Sequence, residues 1–296
     1  MDHLLRSLMG GLIFFAFSSS FVKANESPWS TNMAVSYLSG SYHGNTIKDD
    51  LNGYGVKSQF TYLDDYDVKL GYSRLGIAFD SDDFNDTLYQ EAFQFEGESH
   101  YFIDMLNGSL TTGLQYSQID GNLSDSALGN MSYIGGVLRY MSYQRDLYFD
   151  LHYSRSAYDL TSNVYQYDVA AGASLFGQSN WGQIRFYNIE STSFERRYIS
   201  ADLLIKHWLS SYSLLSPNSV YFAFTLGDRL LAVDPDTLVI ANLSQIQKQY
   251  IRVGTQWALP NRSELTLALA YSEYELSTSD SDYSGTFLLL QYSKKW

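Results

Sequence analysis

Residues 165–175 read YQYDVAAGASL. Taken alternately, they separate into Tyr165, Tyr167, Val169, Ala171, Ala173 and Leu175 on one side, and Gln166, Asp168, Ala170, Gly172 and Ser174 on the other. Successive side chains of an extended chain point to opposite faces, so the stretch predicts a β-strand with one apolar, aromatic face and one small, polar face. Residues 53–62 divide the same way: Tyr54, Val56, Ser58, Phe60 and Tyr62 oppose Gly55, Lys57, Gln59 and Thr61. So do residues 263–272, where Leu265, Leu267, Leu269 and Tyr271 oppose Thr266, Ala268, Ala270 and Ser272.

Outward from these stretches, period two persists to the end of the chain and helical periodicity is nearly absent. About fourteen segments fit it, near 31–42, 53–63, 66–77, 87–102, 109–118, 131–141, 147–156, 164–176, 181–189, 198–208, 219–227, 247–259, 263–273 and 284–296. Each is close to the nine to eleven residues that a tilted strand needs to cross a bilayer, and the count is even. Short connections such as Asp64-Asp65-Tyr66, Ser142 to Asp146, Gly177 to Asn180 and Pro260-Asn261-Arg262 alternate with longer polar ones at 119–130, 228–246 and 274–283. The pattern predicts an all-β, transmembrane, antiparallel up-and-down β-barrel of about fourteen strands, with twelve or sixteen as the alternatives. A soluble β-sandwich also alternates, but it has no reason to sort its aromatic residues by strand end.

Here the tryptophans do sort. Trp29 precedes the first segment, Trp181 opens the ninth, and Trp208, Trp257 and Trp296 end the tenth, twelfth and fourteenth. If the first strand runs outward, all five lie at the periplasmic rim and form an aromatic girdle, since indole favours the headgroup zone. The 26 Tyr and 17 Phe are expected to form the rest of a lipid-facing band. Three charges, Arg74, Glu91 and Arg155, fall on that face near outer strand ends, where the penalty is small.

Composition narrows function. The net charge of -13 without a basic cluster argues against nucleic-acid binding, and the absence of cysteine removes disulfides, thiolate nucleophiles and Cys-ligated metals. A mean hydropathy of -0.21 excludes a bundle of membrane helices. Residues 1–24 carry Arg6, an apolar run from Leu8 to Phe17 and a Val22-Lys23-Ala24 cleavage pattern, the marks of a secretory signal peptide. Residues 25–296 are then the barrel. Its candidate outer loops hold about eighteen acids against four bases, so the excess negative charge is expected to face outward.

The final segment places Leu288, Leu290, Tyr292 and Trp296 on one face. It resembles the C-terminal recognition segment of Gram-negative outer-membrane β-barrel proteins, with Trp rather than Phe last and Lys294 where an apolar residue is usual. The resemblance implies residence in the outer membrane, contact with its lipid and lipopolysaccharide, and insertion by the barrel-assembly machinery. In size the chain is similar to the monomeric porin OmpG.

The polar faces define a lumen lined by Lys57, Lys69, Glu96, Glu98, Arg139, Asp150, His152, Asp168, Arg185, Asp202, Lys206 and Arg252. Folding each hairpin about its turn sets Lys69 opposite Glu96, Arg139 opposite Asp150, His152 opposite Asp168 and Arg185 opposite Asp202. Such cross-strand pairs stabilise a sheet, and they also leave both signs of charge in a channel for small hydrophilic solutes. A non-conducting surface, export or assembly component is the alternative. Catalysis is a third reading: only His152 has an acid partner, Asp168, and no nucleophile motif adjoins it, so neither catalytic nor metal-ligating residues and no cofactor are expected. Asp80-Ser81-Asp82-Asp83-Phe84-Asn85-Asp86 lacks EF-hand spacing. The connection 228–246 is unusually apolar, and reads either as a loop folded into the mouth or as a hairpin about Asp234-Pro235-Asp236.

Overall fold

A computed structural model describes residues 28–44, 48–79, 87–122, 130–158, 163–177, 179–192, 196–210, 216–230, 233–234, 239–240, 245–276 and 282–296. The expected signal peptide, the acidic stretch 80–86 and most of 231–244 lie outside the described residues.

The described chain is nearly all strand. In order, it forms β1 (Trp29–Gly44), β2 (Lys48–Tyr62), β3 (Tyr66–Phe79), β4 (Leu88–Ile103), β5 (Gly108–Gly121), β6 (Met131–Ser142), β7 (Leu147–Tyr158) and β8 (Asn163–Ser174). There follow β9 (Asn180–Ser191), β10 (Arg196–Trp208), β11 (Ser219–Arg229), the short β12 (Val233–Asp234) and β13 (Val239–Ile240), then β14 (Gln245–Leu259), β15 (Ser263–Leu276) and β16 (Asp282–Lys295). Fourteen of these pair with their neighbours to close a barrel, and β12 with β13 makes a separate two-stranded ribbon between β11 and β14. The first and last barrel strands seal antiparallel from Asn32↔Lys295 to Gly44↔Tyr283. Several strands run past the sequence-derived limits at the long-loop end, β1 by two residues and β2 by five, and make a collar above the membrane-spanning length.

At the opposite end the chain reverses tightly. Leu63 and Asp64 both have positive φ (50° and 61°), as do Asn261 and Arg262 (61° and 57°), within three-residue loops between the paired Tyr62 and Tyr66 and the paired Leu259 and Ser263; the successive left-handed residues turn the chain with a twist that matches the strands.

Burial alternates along the strands, most clearly in β7, where Tyr148, Asp150, His152, Ser154 and Ser156 are buried and Leu147, Phe149, Leu151, Tyr153 and Arg155 are exposed. In a closed barrel the buried row is the lumen and the exposed row faces the surroundings. This corrects the expected aromatic band. Tyr42, Tyr133, Tyr148, Tyr158, Tyr187, Tyr198 and Tyr283 are buried on the inward rows. Tyrosine serves there because its ring fills the taper while its hydroxyl satisfies polar neighbours.

The girdle is corrected too. Trp29, Trp257 and Trp296 lie on outward rows, with Trp29 packed on Tyr62 at 4.9 Å and Lys294 Nζ 5.1 Å over the Trp296 ring. Trp181 and Trp208 share rows with the inward Gln183 and Lys206. Trp181 packs edge-on against the inward Tyr148, and Lys206 Nζ sits 5.2 Å over the Trp208 ring. The lipid-facing charges behave as a barrel requires: Arg74 and Glu91 are cross-strand partners at 3.5 Å, and Arg155 donates to Asn163 at 2.9 and 3.1 Å.

β11 and β14 are both bulged where they leave the barrel wall, between Leu226 and Arg229 and between Gln247 and Gln249. Gly227 makes the first bend possible. Its φ is +93°, and a Cβ there would stand 2.4 Å from the Ile199 carbonyl oxygen. Gly177 has a similar φ of +101° with nothing within 4 Å. Gly227→Val is therefore expected to destabilise the barrel by about 2 kcal/mol or more, and Gly177→Val by less, because only the former adds a backbone collision to the strained φ. Urea unfolding of both variants refolded in detergent micelles measures the difference.

Candidate functional site: the barrel lumen

All twelve sequence-predicted lumen residues lie on inward rows, and the four anticipated cross-strand pairs are register partners: Lys69↔Glu96, Arg139↔Asp150, His152↔Asp168 and Arg185↔Asp202. Their side chains join neighbouring pairs into one network across β3 to β9. Lys69 Nζ reaches Glu98 at 2.7 Å and Glu96 at 3.3 Å. Arg139 bridges Glu98 at 3.2 Å and Asp150 at 3.4 Å. Asp150, with 0% exposure, also accepts from Tyr148 at 2.7 Å and from Arg185 at 3.5 Å. Each acid thus meets more than one base or donor, which is what makes burial of these charges tolerable.

A second chain of bonds runs alongside. Gln115 donates to Glu96 at 3.2 Å, Tyr133 donates to Gln115 at 2.9 Å, and His152 joins Tyr133 at 2.8 Å and Asp168 at 2.8 Å. The carboxylate of Glu96 can only accept, so it turns the amide NH₂ of Gln115 toward itself and the amide oxygen toward Tyr133. The single phenolic proton then goes to Gln115, and His152 bridges the phenol oxygen through Nε2 and the Asp168 carboxylate through Nδ1. Gln166 adds a further donor to Asp168 at 2.8 Å.

Asp202 accepts from Tyr187 at 2.9 Å, from Thr225 at 2.5 Å and from Arg229, which also lies over the Tyr187 ring at 4.1 Å. Lys206 donates to Gln256 at 2.5 Å. Arg252 lies 5.5 and 5.9 Å from the rings of Tyr221 and Tyr250. Lys57 lies on the inward row of β2 between Ala34 and Gly71, and across β14–β16 and β1 the inward rows alternate small residues such as Gly254, Ala268 and Ala270 with Arg252, Phe287 and Leu289.

At the short-turn end, Asp67 accepts from Gln59 at 3.0 Å and sits 3.3 Å from His100, whose other ring nitrogen meets Thr111 at 2.8 Å. Asp67, Glu98 and His100 bring ligand atoms within 4.8 Å of one another. They are a poor donor set for a metal ion, because Lys69 and Arg139 already hold positive charge against Glu98.

The long-loop end is apolar. Ile119, Met131, Tyr158, Val164, Ile189 and Tyr198 cluster inside the collar with Leu230 and Ile246, the residues at which the β11–β14 connection leaves and rejoins the wall. Tyr42, Leu51, Ile77, Leu88 and Tyr283 make a second cluster on the other side. Of the two readings of 228–246, the roots of the loop do pack into the mouth, and β12 and β13 also form a short hairpin about 235–238; the residues between lie outside the described set.

Sequence alternation located the charges but missed Gln115, Tyr133, Tyr148, Tyr187 and Arg229. The inward parity of the tyrosines was available as a signal and was overridden by the expectation that aromatic residues face lipid. Arg229 was hidden by the bulge, which breaks strict alternation.

No protein-family model and no curated protein matches this sequence. Solved structures do match in shape. The toluene transporter TodX of Pseudomonas putida has a TM-score of 0.56 at 9% identity, over 92% of this chain and 90% of that one. A bacterial polysaccharide outer-membrane secretin gives 0.54 at 9% identity, over 90% and 98%. The monoaromatic hydrocarbon channel CymD gives 0.52 at 9%, over 92% and 89%. At such identities the likeness is one of fold. The chain is an antiparallel up-and-down barrel of the outer-membrane type.

Asp150 is the node of the network, and its truncation leaves two guanidinium groups facing a lost charge. Asp150→Ala is expected to cost about 3–5 kcal/mol, and Asp150→Asn less because it keeps a hydrogen-bond acceptor for Tyr148. Denaturant titration of the refolded variants in micelles, followed by tryptophan emission, measures both.

Proposed function

We propose that this chain is a passive channel of the bacterial outer membrane for small hydrophilic solutes. The observation that carries the reading is the inward network of Lys69, Glu96, Glu98, Arg139, Asp150, His152, Asp168 and Arg185. Polar side chains line the interior of a fourteen-stranded barrel whose outside is apolar. Both signs of charge are interleaved, so solutes are expected to be sorted by size more than by charge.

Access from the long-loop end passes the apolar clusters at the mouth. Leu230 and Ile246, at the roots of the β11–β14 connection, pack within the larger cluster and narrow the outer mouth. In the cell, outer-membrane lipid and lipopolysaccharide would surround the barrel, and the barrel-assembly machinery would insert it. A catalytic role draws little support from His152: both ring nitrogens are engaged, by Tyr133 and Asp168, and its side chain has 0% exposure.

Planar-bilayer recording of the refolded protein tests the reading. Discrete conductance steps with a cation-to-anion permeability ratio within about threefold of unity are expected, and deletion of 231–244 should enlarge the steps or lengthen the open time. Silence from both the full chain and the deletion variant would establish the alternative, a non-conducting surface, export or assembly component.

A further inference from the structure

The short-turn rim between β4 and β9 carries large apolar side chains where water would be a costly solvent. Met105, in the turn from β4 to β5, is 91% exposed, and Phe176, in the turn from β8 to β9, is 99% exposed. Phe102 and Leu106 flank the first, and Tyr143 stands exposed in the β6–β7 turn between them. These three turns follow one another around the rim. Phe176 also has φ +50°, a left-handed backbone that a bulky residue adopts at a cost.

The lipid-facing rows say where this rim lies. Upward from the turn, β7 presents Leu147, Phe149, Leu151 and Tyr153 before its first charge, Arg155, nine residues on. β3 presents Tyr66, Val68, Leu70 and Tyr72 before Arg74, again nine residues on. A tilted strand needs about nine to eleven residues to cross a bilayer, so the span from the charged ring to the turns uses up the hydrocarbon thickness. No length is left over to hold the turns clear of the membrane. The indoles agree. Trp29, Trp257 and Trp296 mark the headgroup level on the other half of the rim, whereas Trp181, the one tryptophan of the β4–β9 half, faces the lumen. Met105, Leu106 and Phe176 stand where that half lacks a lipid-facing indole.

We propose that the β4–β9 turns form a phospholipid-binding surface, with Met105, Leu106 and Phe176 seated in the headgroup region of the periplasmic leaflet. The lipid-facing rows run down to these turns through the exposed Tyr101, Leu147 and Leu175, which is why lipid and not a protein is the occupant. The lumen then opens at the leaflet surface on this side, with no periplasmic vestibule. The proposal rests on the outer-membrane reading, and its test separates the two.

Because the sequence contains no cysteine, single-cysteine variants of the full chain carry a fluorophore at one place each. Met105→Cys and Phe176→Cys are compared with Leu269→Cys, on the belt, and Asp282→Cys, at the start of β16. Each is refolded into phosphatidylethanolamine–phosphatidylglycerol vesicles. Quenching is read with nitroxide carried by the lipid at headgroup or acyl level, and with aqueous iodide. Lipid quenching at positions 105 and 176 within about twofold of that at 269, strongest from the headgroup nitroxide and with weak iodide quenching, is the expected result. Iodide quenching at both positions equal to that at 282, with 269 still quenched by lipid, would overturn the proposal while leaving the barrel inserted. Loss of lipid quenching at 269 would overturn the outer-membrane reading and the proposal with it. Protection of 105 and 176 from a water-soluble maleimide in cells but not in vesicles would assign the surface to a periplasmic protein, and would likewise overturn it.

Discussion

Every backbone amide and carbonyl that meets hydrocarbon must find its partner within the protein, and this chain meets that demand by pairing its first strand with its last. The ladder from Asn32↔Lys295 to Gly44↔Tyr283 removes the two edges that fourteen consecutive hairpin-linked strands would otherwise leave. Closure also gives each strand an inside and an outside for its whole length. The alternation of side chains then becomes a division between two solvents. A one-residue slip in any strand would send its charges into lipid and its leucines into the lumen, so register is specified by the same energy that drives insertion.

The lumen carries the consequences. Long charged side chains inside a barrel are desolvated unless they satisfy one another, and here they do so around the wall more than in isolated pairs. Glu98 reaches bases on β3 and β6, and Asp150 reaches bases on β6 and β9. Tyrosine and glutamine complete the network by supplying donors whose direction the carboxylates dictate. The opposite wall mixes glycine, alanine and serine with Arg252, Phe287 and Leu289, and the mouth has apolar side chains with the roots of the β11–β14 connection among them. A polar middle beneath an apolar mouth is a different interior from the uniformly polar lumen that alternation alone suggests.

Much of this was legible in advance. The four cross-strand charge pairs followed from counting outward from each turn, because an antiparallel hairpin fixes its register locally. The Arg185↔Asp202 pair shows where such counting stops. The residues are register partners, but Asp202 is also bonded by Tyr187, Thr225 and Arg229, and Arg185 also reaches across to Asp150 on β7. Side chains of this length choose partners by reach around the barrel's curvature, which no hairpin-by-hairpin reading contains. Trp181 and Trp208 failed for a related reason. Their position at a strand end was read correctly, but which side of the wall they occupy depends on parity, and Trp181 shares its row with Gln183 and Arg185.

What the sequence by itself determined was the strand period, the strand count, the turn positions and the row on which each charge sits, since all of these depend on neighbours close along the chain. Only the tertiary structure decided that tyrosines such as Tyr133, Tyr148 and Tyr187 belong to the lumen, that the charges connect into one network across seven strands, that Leu230 and Ile246 pack into the cluster at the mouth, and that Met105 and Phe176 stand exposed on the rim. The physical reason is closure. Bending a sheet into a barrel brings together residues far apart in sequence, and the space it encloses, not the local alternation, sets which side chains must fill it and which must find partners.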